Sequence, residues 1–343
     1  MSKVTQQRKD DHITINLEQN VQFPALRTGL ERYRFLHRAL PEVDLAAIDT
    51  TLTLFNKTLR SPIFISSMTG GTERAKQINR TLAQAAQQYG LAMGVGSQRA
   101  AIENPDLAHT FQVRDVAPDI LLFANLGAVQ LNYAYDVEQC LRAVEMIQAD
   151  ALILHFNAIQ EAVQPEGDTN FAGLLEKVAH VCATLPIPVI AKEVGWGFSP
   201  SDVTGLVAAG VQAIDVAGSG GTSWSEVEYH RAPTAFHAQV ARSFADWGIP
   251  TALAIQYAHQ NAPNLPVFAS GGLRDGLDVA KSLALGATLG GIASGFLKAV
   301  DQSYVSLCEF IEITQRQLEI AMFCSQAVNL EQLHQVELIY TQS

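Results

Sequence analysis

After residue 60 the chain repeats one unit eight times: a short apolar run, a Gly/Ser/Asn-rich bend, then a segment with helical periodicity. The runs are Pro62–Ser67, Leu91–Val95, Ile120–Ala124, Ala151–His155, Pro188–Lys192, Gln212–Val216, Pro266–Ser270 and Ala287–Ala293. They are apolar on consecutive rather than alternate positions, the pattern of strands buried on both faces of a parallel sheet. The segments between them carry core-facing stripes. In Glu73–Tyr89 the stripe is Ile78, Leu82, Ala85 and Tyr89, with Gly90 placed to end the helix. In Asp136–Gln148 it is Val137, Cys140, Leu141, Val144 and Ile147, behind an Asp136 N-cap with Gln139 three residues on. Leu307, Phe310, Ile311, Leu318, Ala321 and Met322 mark another helix near the C-terminus. Parallel strands need right-handed crossovers, and eight of them close a ring, so the expected fold is α/β, a (β/α)8 TIM barrel. An open doubly wound sheet would carry a GxGxxG turn after its first strand, and none follows Pro62–Ser67.

Two stretches break the rhythm. Residues 1–60 read as an irregular N-terminal extension contributing to the active-site mouth, and residues 61–343 as the barrel. Gly218–Pro266, after the sixth strand, is too long for one loop and helix; two helices are expected in it, around Thr234–Trp247 and Thr251–Ala258. Such insertions usually build the rim of a barrel's site.

Composition narrows the class. Of 343 residues, 48% are hydrophobic and 17% charged, which excludes a disordered chain. A net charge of -11 repels nucleic acid and anionic membrane, so neither is an expected partner, and an anionic ligand needs a local basic cluster. Cys140, Cys182, Cys308 and Cys324 follow no metal spacing and read as thiols of a reducing cytoplasm. Met1–Asp11 has no apolar signal-peptide core. The most membrane-like stretch, Ser282–Leu297, is broken by four glycines and is shorter than the roughly 20 residues a span needs. A cytoplasmic location is expected.

Chemistry in such a barrel sits at the C-terminal strand ends. Read in order, those ends contain Ser67-Met68-Thr69-Gly70-Gly71, Gly96-Ser97-Gln98-Arg99, Asn125-Leu126-Gly127, His155-Phe156-Asn157, Lys192-Glu193-Val194-Gly195, Ser219-Gly220-Gly221-Thr222, Gly271-Gly272-Leu273 and Ala293-Ser294-Gly295. The Gly-rich turns of the last three, with free backbone N–H groups, suit a phosphate. Lys192 closes an apolar strand, where a cation suits an electron-rich cofactor ring or a Schiff base. Asn125 alone reads as a turn residue and His155 alone as a satisfied core histidine, but Asn157 doubles the polar load beside it. Gln160-Glu161 offers one carboxylate, a common partner of phosphate in holding Mg²⁺. Arg8, Lys9 and Arg99 are candidate cations, although Gln6–His12 by itself reads as a frayed tail.

The segments RKDDH (Arg8–His12), SMTGG (Ser67–Gly71), GSQR (Gly96–Arg99), QE (Gln160–Glu161), KEVG (Lys192–Gly195) and SGGTSW (Ser219–Trp224), in this order, closely resemble type 2 isopentenyl-diphosphate Δ-isomerases. Asp11 stands where many members have glutamate. The resemblance, from about Arg8 to Leu297, implies a TIM barrel that interconverts isopentenyl and dimethylallyl diphosphate. It implies reduced FMN, Mg²⁺ and NADPH as reductant, and a homotetramer or homo-octamer. It assigns FMN to Ser67, Met68, Thr69, Ser97, Asn125, Lys192 and Thr222, with the phosphate end on Gly271, Gly272, Leu273, Ala293 and Ser294. Substrate falls to Arg8, Lys9, Ser97, Gln98, Arg99 and Gln160, and Mg²⁺ to Glu161. His155, Asn157 and Gln160 take supporting roles, since reduced flavin carries the acid–base step and no strand end offers an evident strong acid. A 2-hydroxy-acid oxidase-like FMN barrel and a non-catalytic flavin- or phosphate-binding sensor are the alternatives.

Overall fold

The eight apolar runs all become strands, and they pair in parallel into one closed barrel. The computed structural model describes residues 3–341; the outermost residues of the two expected segments, 1–2 and 342–343, lie outside that range. The barrel strands are β1 (Ile63–Ile65), β2 (Ala92–Gly94), β3 (Leu122–Gly127), β4 (Ala151–Phe156), β5 (Val189–Glu193), β6 (Ala213–Asp215), β7 (Val267–Ala269) and β8 (Leu289–Ile292). β8 closes onto β1 with Gly290 opposite Ile63 and Ile292 opposite Ile65. The expected (β/α)8 barrel is the observed fold.

Consecutive apolar positions are used on both faces. Phe64, Phe123 and Phe268 meet inside the barrel, with ring centroids 5.7 to 6.3 Å apart. Their strand neighbours Ile63, Ile65, Leu122 and Ala124 face the surrounding helices. The helix Glu73–Tyr89 is capped by Thr72, whose hydroxyl accepts from Ala75 N–H, and stops at Gly90 with φ 67°. Val137–Ile147 opens with the reciprocal Asp136/Gln139 cap. Ser282–Leu297 is divided among a helix end, β8 and a helix start. Among the described residues no helix is long and apolar enough to cross a membrane.

Three expectations are corrected. The first 60 residues are not irregular throughout: Lys3–Glu18 forms a helix, α1. It carries no extended apolar stripe: Ile13 and Leu17 pack on the core, and polar contacts such as Lys9 to Ser97 O and Thr72 to Asp10 hold it beside them. Further on, Tyr33–Phe35 pairs antiparallel with Leu338–Tyr340 and ties this extension to the end of the described chain. The insertion after β6 contains three helices rather than two, α2 (Trp224–Arg231), α3 (Ala235–Arg242) and α4 (Thr251–Asn261). α2 has few apolar residues and buries Glu226 and Glu228 instead, so no stripe announced it. α3 ends at Arg242, short of the expected Trp247.

Candidate active site

The C-terminal strand ends open into one cavity of ≈530 Å³, a size typical of small-molecule sites, lined from all eight strand ends and from α1. Every residue expected at the site lines this cavity except Gln98. Gln98 is fully buried behind the wall. Its amide donates to Ala143 O at 2.8 Å and accepts from Asn125 N–H at 2.9 Å. Its side chain points toward the helix layer rather than into the cavity, unlike the other expected residues, which line it.

One end of the cavity is a cradle of backbone. Gly271 and Gly272 have φ of 97° and 84°. A Cβ on Gly271 would stand 2.1 Å from Gly218 O, and one on Gly272 2.7 Å from Gly220 O. The turns after β6 and β7 therefore press together as no side chain would allow. Beside them Ala293 starts the helix Ser294–Gln302, whose N-terminus has no side-chain cap. Free first-turn N–H groups and the side chains of Arg274 and Lys298 on the same lining suit a phosphate.

In the middle of the mouth, Lys192 Nζ lies 3.0 Å from Asp215 Oδ2 and donates to Ser270 Oγ at 3.2 Å. On the neighbouring strand, in register with Lys192, His155 Nδ1 is 2.7 Å from Asn125 Oδ1. Burial, then the charges of Lys9 and Lys192, push the His155 pKa down to about 3. The imidazole is neutral, so Nδ1–H donates to the amide oxygen and Nε2 is left as an acceptor. Glu193, one residue past Lys192, accepts the amides of Val194 and Gly195, both at 2.7 Å, and so shapes the wall of the site. Burial, opposed by these amides, raises its pKa to about 7.

The opposite edge is cationic. α1 lies across the mouth, with Arg8, His12 and Asn16 at four-residue spacing and Lys9 and Ile13 beside them, all on the cavity lining. Arg8–His12 is therefore not a frayed tail, and its cations reach the mouth within one chain. Lys9 Nζ donates to Ser97 O at 3.1 Å. Burial, then the charges of Arg8 and Arg99, lower its pKa to about 7. Arg99 is held by Glu103 at 2.7 Å and Asp168 at 2.6 Å. Glu161 accepts from Asn157 Nδ2 and from Asp168 N–H, both at 2.8 Å, and is the one carboxylate on the lining among the described residues. No group of three or more His, Cys, Asp and Glu is gathered as a metal cage among the described residues.

Reading the strand ends missed Glu228, on α2 behind the lining. It accepts from Gln164 at 2.7 Å, Gln160 at 3.2 Å and Arg231 at 2.9 Å, and lies 3.3 Å from His12 Nε2. Burial raises its pKa, but His12, Arg231 and Gln160 outweigh burial and hold it below the ordinary value. Asp215 and Ser270 were missed as well, because neither stands in a motif. Four atoms of lining residues are buried with no hydrogen-bond partner: Arg8 Nε, Ser67 Oγ, Asn157 Oδ1 and His12 Nε2, the last facing Glu228 at ion-pair distance. Polar atoms left so in a cavity are the mark of a ligand site.

The chain matches the FMN-dependent dehydrogenase family over residues 1–113 and 134–339. A Nostoc sp. protein named isopentenyl-diphosphate delta-isomerase is 55% identical over 332 residues, covering 97% of this chain and 95% of its own. Its namesake from Synechocystis sp. is 56% identical over 339 residues, covering 99% and 97%. Among solved structures, a mandelate oxidase with 3,3-difluoro-2-hydroxy-3-phenylpropionic acid superposes with a TM-score of 0.66 at 15% identity, covering 97% of this chain and 95% of its own. That likeness speaks for the barrel alone. The sequence relatives carry more, since more than half of nearly the whole chain is identical to theirs, and on that ground the chain belongs to the isopentenyl-diphosphate delta-isomerases within the FMN-dependent dehydrogenase family.

Proposed function

We propose that this chain interconverts isopentenyl diphosphate and dimethylallyl diphosphate by a 1,3-allylic proton shift, using reduced FMN, with Mg²⁺ on the substrate's diphosphate and NADPH as the reductant. The observation that carries this reading is a single cavity with an anion cradle at one end and a cationic edge at the other, joined across Lys192. Two phosphate-bearing ligands, a flavin and a diphosphate, can then meet face to face.

The cradle at Gly271, Gly272 and Ala293–Ser294 would hold the FMN phosphate. Lys192, with Ser67, Met68, Thr69, Ser97, Asn125 and Thr222, would line its ring. Reduced FMN, when bound, supplies the electron-rich ring and the exchangeable proton that the allylic shift needs. Arg8, Lys9 and Arg99 neutralise and orient the diphosphate. Glu161 offers a single carboxylate, so Mg²⁺ there would draw its remaining oxygens from diphosphate and water. His155 is fixed as an acceptor and Gln160 is fixed on Glu228, so both position rather than donate a strong acid's proton. α1 keeps water off the reacting carbons.

Anaerobic incubation of the protein with isopentenyl diphosphate, FMN, NADPH and Mg²⁺ tests the reading. Dimethylallyl diphosphate should accumulate over many turnovers on a trace of NADPH. NADPH loss in step with product, or oxidation of a 2-hydroxy acid, would move the chain to the oxidase reading, and tight flavin binding without turnover to a sensor. A cytoplasmic location and a homotetramer or homo-octamer belong to the same reading. Free cysteines and the exposed Phe236 and Trp247 support them, and light scattering tests the assembly.

A further inference from the structure

Lys192, Asp215 and Ser270 stand at three neighbouring strand ends, and the β5–β6 register sets Lys192 directly opposite Asp215. Beyond its contacts with Lys192, Ser270 donates to Asp215 Oδ1 at 2.6 Å, so the three side chains close a ring. Asp215 is 0% exposed and Lys192 6%. Lys192 and Ser270 line the cavity, whereas Asp215 lies behind them. The carboxylate is off the lining, so it acts on a ligand through Lys192 and Ser270, and Lys192 is the charged one of the two.

A buried ammonium with no counter-ion gives up its proton. The other charged or titratable groups around Lys192 do not supply one. His155, opposite it on β4, is neutral. Lys9, beyond His155, adds positive charge to the same space. Glu193, next along β5, has its carboxylate turned onto the loop amides. Among the described residues Asp215 is the one carboxylate at ion-pair distance from Lys192.

We propose that Asp215 is a positioning residue that keeps Lys192 charged before the flavin is reduced, so that hydride transfer to the flavin calls for no second proton. This rests on the reading that FMN lies against Lys192. A hydride brings two electrons and one proton to the flavin ring and leaves its donor oxidised. The flavin then carries one added negative charge, which meets an ammonium already in place. Without Asp215, Lys192 begins neutral, and reduction draws one more proton from solvent, onto the lysine or onto the ring.

The FMN-loaded protein tests this without turnover, by spectroscopic redox titration with dithionite across the neutral-to-alkaline range. The wild-type midpoint potential should follow one proton per two electrons. Asp215→Asn should follow two, doubling the slope of potential against pH. Adding Lys192→Arg to Asp215→Asn should restore the single-proton slope, since a guanidinium stays charged without a partner. Should Asp215→Asn fail to fold, Ser270→Ala keeps both charges while opening the ring, and should bring in the second proton at a lower pH than wild type. An unchanged slope in Asp215→Asn, a two-proton slope in the double variant, or an unmoved onset in Ser270→Ala overturns the proposal. Lys192→Met separates it from the reading beneath it. If that variant leaves the potential unmoved, the flavin is not at Lys192 and both fall. If it moves the potential while Asp215→Asn does not, the proposal alone falls.

Discussion

His12 Nε2 lies 3.3 Å from Glu228 Oε1, joining a residue near the start of the chain to a buried carboxylate on the insertion after β6. Trp224 packs edge-on against the same imidazole at 5.2 Å between centroids. On the other side of the mouth Thr72 donates to Asp10 at 2.8 Å and Lys9 reaches Ser97 O. α1 is thus clamped on both sides of the cavity, and the His12–Glu228 contact is its anchor on the insertion side.

Glu228→Gln removes the charge that His12 and Arg231 share. A hydrogen bond to a charged group contributes about 1.5–3 kcal/mol, so the diphosphate KM should rise roughly tenfold to a hundredfold as α1 loosens. Flavin content should stay at the wild-type level. Steady-state kinetics beside flavin absorbance checks both, and an unchanged KM would show that α1 docks without this anchor.

Lys9 gives the site a pH dependence. Its pKa in the free protein is lowered to about 7 by burial, Arg8 and Arg99, so the ammonium is lost as pH rises through that value. A bound diphosphate favours the charged form, so binding takes up a proton and KM should climb above neutral pH. Lys9→Arg keeps its charge and should flatten that climb. KM measured against pH for the two proteins decides it.

Gly272→Val tests the cradle. A Cβ there would stand 2.6 Å from Thr28 Cγ2 at a φ of 84°, where a β-branched residue is strained. Flavin retention should fall at least roughly tenfold, about 1.4 kcal/mol in binding, while the circular dichroism stays that of the barrel. Normal flavin content would place the phosphate elsewhere.

Gln98→Leu tests whether this side chain supports the wall or meets the substrate. It strips partners from Asn125 N–H and Ala143 O inside the wall, at about 1–3 kcal/mol for each buried group left unpaired. Thermal stability should drop by several degrees while the diphosphate KM changes less than about threefold, under 1 kcal/mol. A large KM effect in a protein of normal stability would return Gln98 to the substrate.

Glu161→Gln should weaken the dependence of turnover on Mg²⁺ and leave flavin content alone. The amide can still accept from Asn157 or Asp168 N–H, so the local fold is kept. Activity titrated with Mg²⁺ reads this directly, and an unaltered titration would remove Glu161 from the metal.

The sequence by itself determined the barrel. Runs such as Pro188–Lys192 and Ala151–His155, apolar on consecutive positions, have no stable home except between two layers, and eight of them with amphipathic helices between close on themselves. It also determined the cradle, because paired glycines at Gly271–Gly272 are a local backbone property. Tertiary structure decided the rest. α1 has no extended apolar stripe, and its helix becomes useful only where a polar mouth takes Arg8, Lys9, His12 and Asn16; the four-residue spacing of Arg8, His12 and Asn16 was its one local sign. Gln98 and Arg99 are neighbours in one motif, yet one is sealed in the wall and the other lines the cavity, a difference set by side-chain direction at the end of β2. Glu228 and Asp215 are the furthest from sequence reach. Each is a carboxylate whose burial is tolerated because a cation or an amide from a distant segment meets it, and such pairing exists only once the chain has folded.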